Sequence, residues 1–380
     1  MKKFKVFLYE PLIGKQEKKL VNDCLNTNWI SSRGKYVKLF EDRFKRYINS
    51  KYAISVCNGT VALHLALVAL GIKNNDEVLV PTFTYVSTVN AIKYVNAKVK
   101  FVDSNMLDWQ MDEKSFNKKI TKKTKAVIVP HIYGNVCNIK KIKQICKKNK
   151  MFLIEDCAEA VGTFYKNQHV GTFGDVSTFS FFGSKTITTG EGGMVTTNNK
   201  FLAEKIERLK MVGVSKKKFY WHYILGYNYR MTNVCAAIGY AQLSRIKSII
   251  KKKREIFLEY KKNLANLPIK LLDGNKEKKN SYWLVSFVLK KKNIRDKLRN
   301  YLENNLIETR PCFYPIHTMP IYKKDNGNNK FPVADYLGSN GITLPSSPKL
   351  SKKQIKYVCK KIKDFLINED LVLNLNNKRL

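Results

Sequence analysis

Acidic residues are scarce in this chain: 30 Asp and Glu stand against 70 Lys and Arg among 380 residues, a formal net charge of +40. Such an excess creates a long-range field attractive to any polyanion, so a nucleic-acid-binding protein has to be weighed. The lysines, however, are dispersed in short runs at 122–123, 147–148, 216–218, 251–253 and 290–292. With no zinc-finger spacing and no basic region followed by heptads, they read as a solvated surface, and no nucleic-acid partner is expected. Paired cysteines are missing too. The eight cysteines (24, 57, 137, 146, 157, 235, 312 and 359) include no Cys-x-x-Cys, and the five histidines keep no metal-ligand spacing. Structural zinc is therefore not expected, no metal site is assigned, and a reducing, cytoplasmic setting is.

Long apolar runs are also lacking. Residues 54–72 form 19 positions without a charge, but Asn58, Gly59, Thr60 and His64 interrupt them, which suits a buried strand, turn and helix better than a membrane span. The opening MKKFKVFLYEP starts like a secretory leader, yet Lys5 and Glu10 break its apolar stretch, so no export is expected. Asn58-Gly59-Thr60 matches the glycosylation pattern, which has meaning only in the secretory pathway.

The hydrophobic content of 44% and the aromatic content of 12% are those of a globular protein. The length is enough for two to three domains. Short apolar runs at 52–57, 77–81, 99–103, 126–130, 152–155, 176–182 and 193–197 predict strands, several of them continuous as in strands covered on both faces. Helical patterns at 61–70 and 139–148 separate the early ones, giving α/β with a largely parallel sheet. The last three runs lack long helices between them. Residues 233–266 read as one long helix. Alternation at 282–289, a helix at 293–304 and a Pro-rich stretch at 311–320 follow it. These predict a second, smaller α+β unit, dividing the chain into 1–245 and 246–380.

Three features carry chemistry. The strand at 52–57 runs into Asn58-Gly59-Thr60 and an apolar helix, where glycine permits close backbone approach and free N–H groups make an anion site. Many such turns contain Gly-Thr for geometry alone. Residues 152–159 (FLIEDCAE) put Glu155 and Asp156 at the end of a central strand, where ligands bind in open α/β sheets. A carboxylate there can hold a protonated ring nitrogen, or cap a helix. Residues 179–186 (FSFFGSKT) place Lys185 after a run of aromatics. Apolar surroundings disfavour the charged amine and make it a nucleophile toward aldehydes. The P-loop likeness of GSKT is superficial, because that motif needs Gly and Lys adjacent. In order, an anion turn, a strand-end acid and a serine-preceded lysine form the set that pyridoxal phosphate chemistry requires.

The chain resembles the nucleotide-sugar aminotransferases of the aspartate aminotransferase fold, and within them the perosamine-forming branch. The resemblance runs from about Tyr9 to about Pro345 through 27–34 (TNWISSRG), 55–67 (SVCNGTVALHLAL), 81–91 (PTFTYVSTVNA), 155–162 (EDCAEAVG), 179–195 (FSFFGSKTITTGEGGMV), 226–232 (GYNYRMT) and 309–319 (TRPCFYPIHTM). It implies a fold type I large domain, with a mostly parallel seven-stranded sheet, and a smaller C-terminal α+β domain. It implies pyridoxal 5'-phosphate, L-glutamate as amino donor and a nucleotide-linked 4-keto-6-deoxyhexose as acceptor, in a homodimer with a shared active site and no membrane association. The product is a 4-amino-4,6-dideoxy sugar nucleotide, of perosamine or viosamine type.

By that resemblance Lys185 bonds the cofactor aldehyde and Asp156 pairs with the ring nitrogen. Glu159, often Gln in relatives, lies by the phenolic oxygen; Gly59, Thr60 and Ser180 bind phosphate; and Tyr85 stacks on the ring. Asn228 reaches the phosphate from the neighbouring subunit, while Trp29, Arg310, Tyr314 and His317 serve the sugar-nucleotide side. Residues 131–134 (HIYG) also match, but Asn138-Ile139 stands where relatives carry Asp-Met, and Ser184 where they often carry Asn. A dehydratase of the same fold is the nearest rival, and its branch resembles histidine at the position of Lys185.

Overall fold

The computed structural model describes residues 4–215, 217–218 and 220–377. Met1 to Lys3 of the basic opening and Lys216 of one lysine run lie outside the described residues. Fourteen strands are present among the described residues: β1 (Tyr52–Val56), β2 (Glu77–Pro81), β3 (Lys98–Val102), β4 (Thr124–Pro130), β5 (Phe152–Asp156), β6 (Phe164–Tyr165), β7 (Gln168–His169), β8 (Val176–Ser180), β9 (Gly193–Thr197), β10 (Ile269–Leu271), β11 (Lys278–Lys279), β12 (Ser286–Leu289), β13 (Arg310–Pro311) and β14 (Gly341–Thr343). Seven of them form the main sheet in the order β1-β9-β8-β5-β4-β2-β3, and β9 alone runs against its neighbours.

Side chains alternate across each strand, and both faces of this sheet are covered. Val78, Val80, Ala126, Ile128 and Ile154 pack on one face with the helix Gly59–Ala69. Leu79, Val127, Val129, Leu153 and Phe179 pack on the other with Phe40 and Phe44 of the helix Lys35–Ile48. Burial on two sides is why the strands read as continuous apolar runs. The helix Gly59–Ala69 is buried almost all round, at Ala62, Leu63, His64, Leu65, Ala66, Leu67 and Ala69, which explains the uncharged stretch. No helix among the described residues is long and apolar enough to cross a membrane.

Register sets the level of the strand ends. Pro130 lies opposite Asp156, Asp156 opposite Thr178, and Ser180 and Val56 each opposite Gly193. The carboxyl ends of β1, β4, β5 and β8 therefore open on one edge of the sheet.

A smaller antiparallel sheet, β10-β12-β14-β13, shares a core with the helices Ile246–Asn263, Arg295–Asn304 and Lys352–Asn377. The chain's beginning joins this region, with Val6 bridged to Ile307. Two sequence expectations fail here. The helix read across 233–266 is two helices, Asn233–Ser244 and Ile246–Asn263, separated at Arg245 (φ −106°, ψ 8°). The Arg245 guanidinium donates to Glu17 and to the Leu12 carbonyl, a tertiary tie that no local pattern displays. The alternation at 282–289 becomes strand only from Ser286, because Tyr282 takes φ +51°, a region rare outside glycine.

Candidate active site

At the strand ends lies a cavity of about 460 Å³. Gly59, Thr60, Tyr85, Asp156, Glu159, Ser180, Lys185 and Arg310 all border it. Asn58 caps the helix Gly59–Ala69 by accepting from the Val61 N–H at 3.0 Å, which starts that helix at the cavity with its first N–H groups free. A Cβ on Gly59 would lie 2.8 Å from Ser180 Cβ, so only glycine brings this backbone against β8. The Thr60 hydroxyl donates to Ser87 Oγ at 3.0 Å. Hydroxyls and free N–H groups at a helix N-terminus make one end of the cavity suited to an anion.

Asp156 ends β5. Its Oδ2 accepts from Thr88 Oγ1 at 2.8 Å and its Oδ1 from the Ala158 N–H at 3.1 Å. Burial pushes this carboxyl above its ordinary range, and the bond from Thr88 opposes the rise. Behind it, His131 Nε2 lies 3.0 Å from Glu155 Oε2 with both side chains fully buried. Glu155 also accepts from the N–H groups of Gly171, Phe173 and Gly174. Burial would raise Glu155, but His131 and these donors hold it below its usual value. His131 Nδ1 is buried without a hydrogen-bond partner, and His131 borders the cavity.

Lys185 sits on the loop between β8 and β9. Its N–H donates to the Phe182 carbonyl at 2.9 Å, and Thr189 N–H donates to the Phe181 carbonyl at 2.8 Å. Its Nζ lies 3.6 Å from Glu159 Oε1 and 4.0 Å from the centroid of the Trp283 ring. Burial pushes Glu159 up to about 7; the nearby ammonium of Lys185 and a bond from the Tyr133 N–H at 2.7 Å resist it. Of the aromatics preceding Lys185, Phe182 borders the cavity but Phe179 and Phe181 do not. Phe179 and Phe181 pack against Phe44 and Phe40 on the far face, at centroid distances of 4.9 and 5.1 Å.

Four expected site residues lie off the cavity of their own chain. Trp29 is 56% exposed beyond the helix Lys15–Asn26, its carbonyl accepting from Asn233. Asn228 is exposed and accepts from Arg230 Nε at 3.0 Å. Tyr314 stands over the Arg295 guanidinium, and His317 is engaged by Thr82 Oγ1 at 2.8 Å and Asp335 at 3.3 Å. Conversely, Tyr9, Thr88, His131 and Trp283 border the cavity without having been singled out. Thr88 and His131 sit in quoted motif blocks, but Tyr9 and Trp283 come from remote segments that carry no local signal.

Comparison with known proteins agrees with this geometry. Residues 11–363 match the model of the DegT/DnrJ/EryC1/StrS aminotransferase family. The GDP-perosamine synthase of Escherichia coli O157:H7 is 51% identical over 358 residues, covering 94% of this chain and 98% of the relative. That of Vibrio cholerae is 49% identical over 360 residues, with the same coverages. Among solved structures, Spr1654 of Streptococcus pneumoniae, assigned as a sugar aminotransferase and solved in its PLP-form, superposes with a TM-score of 0.90 at 26% identity, covering 96% of this chain and 98% of the other. Helicobacter pylori PseC, an aminotransferase involved in the biosynthesis of pseudoaminic acid, gives a TM-score of 0.91 at 25% identity, covering 97% and 100%. With a family model spanning nearly the whole chain and a lysine, a strand-end carboxylate and an anion turn meeting in one cavity, the chain belongs to the DegT/DnrJ/EryC1/StrS aminotransferase family.

Proposed function

We propose that this protein is a pyridoxal-phosphate-dependent aminotransferase. It moves the amino group of L-glutamate onto the 4-keto carbon of a nucleotide-linked 4-keto-6-deoxyhexose, giving a perosamine-type sugar nucleotide. Relatives of about this length that carry the name GDP-perosamine synthase support the substrate class. The observation that carries the reading is the meeting of Lys185, Asp156 and the Gly59–Ser180 approach at one cavity.

The residues present fit the cofactor. The cradle that a Cβ at Gly59 would fill, with Thr60 and Ser180, suits its phosphate. Asp156, raised by burial, gains the opposite charge of a protonated ring nitrogen. Tyr85, 54% exposed at the cavity rim, is free to cover the ring. When bound, the cofactor supplies an aldehyde that takes up the amino group and a ring that draws electrons from the carbon losing its proton.

The chain's own part is proton handling and orientation. Lys185 would hold the cofactor, and its free Nζ would take up the proton of the donor's α-carbon. Glu159 Oε1, 3.6 Å away and raised to about 7, is matched to hold or return a proton at that amine near neutral pH. Arg310 at the mouth is placed to meet the substrate diphosphate. Asn228, exposed on its own chain, is assigned to the partner's phosphate site in a two-fold dimer. We read residues 246–380 as the smaller unit, because the helix break at Arg245 falls at that division. A cytoplasmic setting accords with eight free cysteines.

The test is a panel of 4-keto and 3-keto nucleotide sugars with L-glutamate, scored for amine product. Amination of the 4-keto compounds is expected. Turnover of the 3-keto compounds alone, or loss of the sugar hydroxyl without amination, would overturn the assignment.

A further inference from the structure

Lys253 is 1% exposed, and no carboxylate among the described residues forms an ion pair with it. A buried amine without an acidic partner is unfavourable, and burial pushes it down to about 7. An apolar side chain would fill the same space with no such penalty, so what the amine touches needs an explanation. Its Nζ donates to the Trp283 carbonyl at 3.0 Å and to the Ser346 carbonyl at 3.3 Å. It also lies 4.8 Å from the centroid of the Tyr9 ring. Both carbonyls belong to backbone just outside β12 and β14, where the ladder that would have satisfied them has ended.

The two aromatics lead to Lys185. Trp283 Nε1 donates to the Ser184 carbonyl at 2.8 Å, and its ring lies 4.0 Å from Lys185 Nζ. The Tyr9 hydroxyl donates to the Lys185 carbonyl at 2.6 Å. The same helix, Ile246–Asn263, reinforces the grip one and two turns on. Phe257 stacks on Tyr282 at 3.9 Å, and the Tyr260 hydroxyl donates to the Pro345 carbonyl at 3.0 Å.

We propose that Lys253 is a positioning residue of the active site: by tying the Trp283 and Ser346 carbonyls together against Tyr9, it fixes the two aromatic side chains that hold Lys185. The functional weight of this clamp rests on Lys185 being the reactive lysine. Trp283 gives the free ammonium a resting place on a ring face, beside Glu159, from which it can leave and return. Tyr9 and the Trp283 indole hold the backbone from which it swings. Lys253 acts only through them.

The test reads Lys185 directly, in full-length protein freed of cofactor, by its rate of acetylation followed peptide by peptide, with exposed Lys143 as internal reference. In Lys253→Met, confirmed folded by circular dichroism, the Trp283 ring face that covers Lys185 Nζ is no longer held in place, which opens the amine to the reagent. Labelling of Lys185 should then accelerate up to about tenfold, with Lys143 unchanged. A purely structural Lys253 would lower the melting temperature and leave that rate alone; a folded variant with wild-type Lys185 labelling overturns the proposal. If Lys253→Met does not fold, Trp283→Phe and Tyr9→Phe decide. Faster Lys185 labelling in either supports the clamp, and unchanged labelling in both rejects it. Borohydride reduction of the cofactor-loaded wild type, with mapping of the modified peptide, tests separately whether Lys185 is the anchor.

Discussion

Two lysines, Lys185 half-buried at the cavity and Lys253 fully buried, are held in opposite ways. Lys185 faces a carboxylate, Glu159, in an open cavity. Lys253 faces carbonyl oxygens in a closed core, with its donors spent on backbone. The contrast teaches that a buried amine is not reactive because it is buried. Reactivity needs an acid partner, room to move and access to a reactant, and only Lys185 has all three.

The sharpest way to break the comparison is to remove each amine. Lys185→Ala should reduce turnover by at least about 10³-fold while leaving the melting transition intact, because it deletes the proposed proton carrier without touching a core strand. Near-normal amine formation in that variant would show that the two lysines had been told apart wrongly. Asp156→Asn keeps the shape and the bond from Thr88 but loses the charge, and should slow transamination on the order of 100-fold while retaining cofactor. Wild-type rates would make Asp156 a structural cap.

Gly59→Ala sharpens the other side, testing whether the anion turn is built by close approach. Its Cβ would stand 2.8 Å from Ser180 Cβ, so destabilisation of about 1–3 kcal/mol and weaker cofactor retention are expected, read by denaturant unfolding and by dialysis. A silent substitution would mean that the start of the helix Gly59–Ala69 can move off β8 without consequence.

The last test lies in the pH dependence of stability. The Glu159 carboxyl titrates near 4.5 when unfolded and about 7 when folded, so between these values the folded protein holds more protons and stability falls as pH rises. The Lys253 amine titrates near 10.5 unfolded and about 7 folded, so below 7 its unfavourable charge is fully felt. From 7 to 10.5 the unfolded chain holds more protons and stability rises. Glu159→Gln should flatten the falling limb and Lys253→Met the rising one, measured as urea midpoints across pH 5 to 10. Parallel curves for wild type and Lys253→Met would mean that this amine does not change its charge state on folding.

Much of this was legible in the sequence wherever the cause was local. The strands expected at 77–81 and 193–197 are β2 and β9 without a shift, and the helix at 139–148 is Ile139–Lys148, because burial on both sheet faces and Asn138 as N-cap write themselves into adjacent residues. That Gly59, Asp156 and Lys185 border one cavity was legible for the same reason: each lies at or just beyond the carboxyl end of a strand. The break at Arg245 was not, since Arg245 is tied to Glu17 and Leu12, more than two hundred positions away. Nor were Tyr9 and Trp283, whose meeting with Lys185 depends on the smaller sheet docking beside the larger. The aromatic run before Lys185 misled because alternation turns Phe179 and Phe181 to the face opposite the cavity.

The opening segment has a consequence for the timing of assembly. Val6 accepts from the Glu308 N–H, Leu8 from the Ser346 N–H and Glu10 from the Ser347 hydroxyl, and Tyr9 lies between them against Lys185. Residues 6–10 are thus secured by residues between 308 and 347, which are made far later. During synthesis the seven-stranded sheet can form as soon as β9 has emerged, but the lysine loop stays without its Tyr9 and Trp283 supports until residues up to 347 have left the ribosome. A nascent chain stalled before residue 346 would carry every residue of the anion turn and the lysine loop, yet hold them in an unfinished site.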